Sequence, residues 1–113
     1  MIYTTYYANL KNIPTDAVIY AISNGVPAGI TIPHLWQAVP SWGDVQQYKR
    51  TGDWEQFRSR YVQLLEFRKP SAWSELINSS KDIVLVCYEK CPDRCHRSLL
   101  AKWLNEHYGL CVT

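Results

Sequence analysis

Residues 82–88 read DIVLVCY, five consecutive apolar side chains without the polar alternation of a half-buried strand. The run is too short for a helix, and Ile83, Val84 and Val86 are β-branched, which suits a pleated strand. A strand buried on both faces belongs at the centre of a parallel sheet. Parallel neighbours need crossover connections, usually helical, so this stretch already excludes an all-β meander and an all-α bundle. The next regular pattern supplies such a helix: RSLLAKWLNEHY (97–108) places Leu99, Leu100, Trp103 and Leu104 on one face, with Gly109 as its C-cap.

The rest of the chain fits the same plan. IYTTYY (2–7) and AVIYAIS (17–23) read as strands, the second nearly all apolar and so expected to be buried on both faces. Residues 28–43 read as irregular, because Pro33 and Pro40 break any helix and VPSWGD has loop character. Trp54, Phe57, Tyr61, Leu64 and Leu65 recur at helical spacing behind an N-capping Asp53, and Pro70 lies beyond the end. A shorter helix is expected over SAWSELINS (71–79), and LCVT (110–113) is expected to begin a last strand. The predicted architecture is α/β: a three-layer, Rossmann-like sandwich with a small, mainly parallel sheet, forming one domain over 1–113.

Composition narrows the function classes. A net charge of +2 gives no support for nucleic-acid binding by itself. The longest apolar run is far short of the roughly 20 residues that span a bilayer, and MIYTTYYANL lacks the pattern of a secretory leader. A cytoplasmic location without membrane partners is expected, and there thiols stay reduced. Cys87, Cys91 and Cys95 fall within nine residues, so they are no framework of long-range disulfides.

Ligands of open α/β sheets bind beyond the carboxyl ends of the strands. That rule gathers Tyr6, Asn9 and Lys11 after the first strand, Ser23 after the second, and the 89–96 loop after the third; Trp42 would add an aromatic wall. The last loop leads into a helix N-terminus, which favours anions, and Arg97 can fork onto a phosphate or carboxylate. His96 can exchange a proton near neutral pH, Glu89 can act as a base or pair with Arg97, and Cys95 can serve as a thiolate nucleophile lowered by the helix dipole and its basic neighbours. The expected ligand is an anionic small molecule or nucleotide.

Two sharper chemistries touch the same stretch. Cys91 and Arg97 are spaced as in the loop of cysteine-dependent phosphatases, but Pro92 lacks an N–H, Asp93 is anionic, and no glycine lies between them. Zinc held by Cys87, Cys91, Cys95 and His96 has permissible gaps, yet all four ligands must converge from one short stretch, so neither a metal nor a specific cofactor is assigned.

VCYEKCPDRCHRSLLAKWL (86–104), with IYTTYYAN (2–9) and YAIS (20–23), resembles the YeaO-like family of small prokaryotic and phage proteins, a domain of unknown function. The resemblance rests on Cys-x-Glu at the end of a strand and Cys-His-Arg opening a helix, matched here by Cys87, Glu89, Cys95, His96 and Arg97. It implies a shared site at Glu89, Cys95, His96 and Arg97 and names no substrate. Three readings stay open: a phosphate-bearing ligand bound at 89–97 with Cys/His-assisted chemistry, a non-catalytic interaction or phage accessory protein whose Cys-His-Arg cluster is structural, and a zinc-stabilised domain.

Overall fold

A computed structural model describes residues 1–89 and 94–113. Strand β1 (Ile2–Tyr6), β2 (Val18–Ala21) and β3 (Ile83–Cys87) form one parallel sheet in the order β1-β3-β2. Register pairs Ile2 and Val18 with Ile83, and Tyr6 with Cys87. All five β3 residues are buried, as the unbroken apolar run requires of a central strand. β2 is instead an edge: Val18, Ile19 and Tyr20 are half-buried, and among the described residues its outer side is met only by an isolated bridge from Ala21 to His34. Its apolar sequence reflects contact with both layers rather than a neighbour on each side.

Alternate β3 side chains enter different cores, as the period of two dictates. Ile83, Leu85 and Cys87 join Trp73, Leu100 and Leu104 under the helices. Val86 faces the other way, with Ala21 and Tyr7, and is covered by Leu10, Val26, Ile30 and Ile32. That second cover is a 3-10 helix (Tyr7–Asn12) and irregular chain, not an α-helix.

The α-helices among the described residues are α1 (Trp42–Thr51), α2 (Trp54–Phe67), the short α3 (Ser74–Asn78), preceded by a 3-10 turn (Pro70–Trp73), and α4 (His96–Tyr108). The expected final strand does not form. Thr113 donates its N–H to the Ile2 carbonyl at 3.0 Å and its carbonyl accepts from the Thr4 hydroxyl at 3.1 Å, contacts beside β1 without a ladder. Helix α1 was not expected, since the prolines before it read as a loop. Its start is nevertheless encoded, because the Ser41 side chain accepts the Asp44 N–H.

The corner between α1 and α2 positions the site. Gly52 ends α1 at φ 71°, a left-handed conformation costly for any residue with a Cβ. Asp53 then caps α2, accepting the Gln56 N–H at 3.1 Å. Tyr48 thereby stacks on Phe57, and Arg60 Nε lies 2.5 Å from Asp44 Oδ1. We expect Asp53→Ala to lower stability by about 1 kcal/mol in urea denaturation.

Candidate active-site cleft

At the carboxyl ends of β2 and β3 lies a cleft of about 380 Å³. Cys95, His96 and the exposed Glu89 are among its lining residues. Trp42 and Tyr48 from α1, Phe57 from α2, and Tyr88 form aromatic walls, and Lys49 and Arg94 bring positive charge. Ser23 and Asn24, after β2, complete the polar edge.

His96 opens α4, and its Nε2 lies 2.5 Å from the Ile22 carbonyl oxygen. A carbonyl only accepts, so Nε2 carries the proton and Nδ1 is the basic ring nitrogen. Tyr61 meets the ring edge-on at 5.4 Å and donates its own hydroxyl to the Ala38 carbonyl at 2.6 Å. The imidazole is thus fixed in tautomer and orientation, the arrangement that activates a neighbouring nucleophile.

That neighbour is Cys95, the N-cap residue of α4 and 2% exposed. Its Sγ lies 2.8 Å from Cys87 Sγ and 3.6 Å from Glu89 Oε2. The hydrogen bond with Cys87, followed by burial, pushes the Cys95 thiol well up, while bonding and charge from His96 act the other way. The sequence predicted a thiolate lowered by the helix dipole. The fold reverses the direction because it seals the sulfur against a second thiol.

The residues named from sequence therefore divide. Cys95, His96, Glu89, Ser23 and Trp42 border the cleft. Arg97, Tyr6, Asn9 and Lys11 are not among its lining residues. Arg97 is buried, with its guanidinium 5.7 Å over the Tyr6 ring. Asn9 donates to Thr5 Oγ1 at 2.9 Å. The Ser23 hydroxyl donates to the Gly25 carbonyl at 2.6 Å and stands 2.6 Å from the Tyr7 hydroxyl, so it shapes the edge of the cleft more than it offers a free group. Cys91, Pro92 and Asp93, on which the phosphatase outline and part of the zinc set depend, lie outside the described residues.

Lys49 and Tyr48 were missed in the sequence because α1 was. The signal that could have found them is the Ser41 cap followed by Trp42, Val45 and Tyr48–Lys49 at helical spacing. Among the described residues, the side chains able to hold a metal are Cys87, Glu89 and Cys95, whose ligand atoms all lie within 4.8 Å of one another. No helix among these residues is long and apolar enough to cross a membrane.

The family model DUF488-N3a, the active DUF488-N3 subclade, matches residues 20–108. No curated protein and no solved structure matches.

Proposed function

The chain belongs to the DUF488-N3a family, and on that premise we propose that its cleft binds a phosphate-bearing small ligand, a nucleotide or nucleic-acid component, for chemistry assisted by Cys95 and His96. One observation carries this reading. Aromatic walls (Trp42, Tyr48, Tyr88) and two cations (Lys49, Arg94) share a cleft with a thiol beside a fixed imidazole. Aromatic faces suit a planar base, and the cations suit its phosphate. The word "active" in the family description favours chemistry over binding alone. Within the same proposal stand the finer readings of the sequence: the YeaO-like group, a Rossmann-like three-layer arrangement, and a cytoplasmic location.

Thermal denaturation against inorganic phosphate and a panel of nucleotides tests it. A ligand at about a hundred times its Kd should add about 2.7 kcal/mol. Trp42→Ala and Lys49→Ala should each weaken that ligand at least about tenfold, or about 1.4 kcal/mol. Trp42 is 53% exposed, so its loss should leave the unliganded melting point nearly unchanged. No shift with any of these compounds would refute the reading.

A second reading has its own observation. Cys95, His96 and Arg97 are all buried, and His96 ties the start of α4 to the end of β2 through Ile22. In this reading the cluster is a structural bracket of a non-catalytic interaction protein. It requires His96→Ala to destabilise the chain and every ligand response to be absent.

A further inference from the structure

We infer that Cys87, Glu89 and Cys95 form a site for one divalent ion of the zinc class, with an open coordination position facing the cleft. The site rests on three donors of the right kind. Two are sulfurs 2.8 Å apart, and the third is a carboxylate oxygen 3.6 Å from Cys95 Sγ. Around tetrahedral zinc, a sulfur and a carboxylate oxygen stand about 3.5 Å apart, and two sulfurs about 3.8 Å. The carboxylate already stands at that distance from Cys95 and within 4.8 Å of Cys87, and the two sulfurs need to part by about 1 Å. The donor set is borderline-soft, which selects zinc over magnesium or calcium.

The surroundings agree with an ion of this class. The two thiols are held 2.8 Å apart at the end of a central strand, where S–H hydrogen bonds are weak, while a cation turns both sulfurs into ligands. On binding, each thiol gives its proton to solvent and each sulfur donates an electron pair to the metal; no electron is transferred. Glu89 completes the set from the cleft side. A disulfide would leave that carboxylate without a role and would need an outside oxidant. Imidazole is no member of the set, since among the described residues the ligand atoms that lie within 4.8 Å of one another are those of Cys87, Glu89 and Cys95. Cys87 is fully buried, whereas Cys95 and Glu89 line the cleft, so among the described residues the fourth position falls on the cleft side. The inference shares the cleft of the proposed function but does not need a nucleotide to bind there, and it makes Cys95 a metal ligand in the loaded protein.

The test uses the wild-type chain, reduced, stripped with chelator and loaded with cobalt(II) or zinc(II) before gel filtration. We expect one ion per chain, a thiolate-to-cobalt charge-transfer band that zinc abolishes, and protection of Cys87 and Cys95 from alkylation while Cys111 still reacts. Cys87→Ser should remove the band, Cys111→Ser should leave it, and Glu89→Gln should weaken binding at least tenfold. Three results would each overturn the site: no retained ion with Cys87 and Cys95 in the thiol form, a band unchanged in Cys87→Ser, or a Cys87–Cys95 disulfide in protein kept under reducing conditions. Nucleotide shifts measured on stripped and loaded protein separate a failure of this site from a failure of ligand binding.

Discussion

Replacing Trp73 by alanine is expected to remove about 3–5 kcal/mol of stability, a large part of the 5–15 kcal/mol typical of a domain this size. Trp73 is fully buried, and its ring centre lies 5.5 Å from that of Trp103 on α4. It belongs to the cluster that joins Leu85 and Cys87 of β3 to Leu100 and Leu104 of α4. The truncation leaves a cavity between sheet and helix that backbone elements can only partly close. Trp73→Phe is the informative control. The Trp73 indole N–H is buried without a partner among the described residues, so phenylalanine gives up no hydrogen bond seen there and keeps most of the ring. Its cost should be well below that of alanine, with both read from urea midpoints at an unchanged m-value. If the two variants were equally destabilised, the packing account of this core would be wrong. The effect reaches the cleft as well, because Cys95 caps and His96 opens the same helix, α4, that carries Trp103.

The same core explains which parts of the fold were legible in the sequence. DIVLVC announced a central strand because burial on both faces leaves no room for polar alternation. The helix pattern after it was clear because Leu100, Trp103 and Leu104 must share one face. β2 misled because its residues are apolar for contact with layers above and below, which composition cannot distinguish from a sheet interior. Helix α1 has no fully buried residue, so its apolar periodicity is faint and the flanking prolines dominate. The candidate site divided along the same line. Strand ends and the helix start gave Glu89, Cys95 and His96 directly. Which way each side chain turns depends on neighbours distant in sequence, such as Ile22 for His96 and Tyr6 for Arg97, and no local pattern records that.

Raising the pH should dismantle this arrangement steeply. Burial is the leading cause that holds the phenolic proton of Tyr61 well above the ordinary tyrosine range, and burial likewise raises Tyr7. The native chain therefore keeps protons that the unfolded chain releases. Stability is intact below the ordinary value near 10.0 and falls as pH rises toward the raised folded values. Each such group contributes a slope of up to about 1.4 kcal/mol per pH unit, so the pair approaches about 3 kcal/mol per unit. Tyr20 adds a smaller share: its hydrogen bond to Glu75, above all, pushes it up to about 12, but it stands half-buried at the sheet edge, where solvent screens the effect. Urea midpoints followed from about pH 8 to pH 11 should show a plateau and then this decline, in step with tyrosinate absorbance. Tyr61→Phe should flatten the decline by one group while costing about 1–3 kcal/mol at neutral pH, since the Ala38 carbonyl loses its donor. A stability curve without a downward limb would mean that water reaches these hydroxyls in the native state. Tyr61 meets His96 edge-on and the Tyr7 hydroxyl is hydrogen-bonded to Ser23, so the walls of the cleft should loosen over the same range.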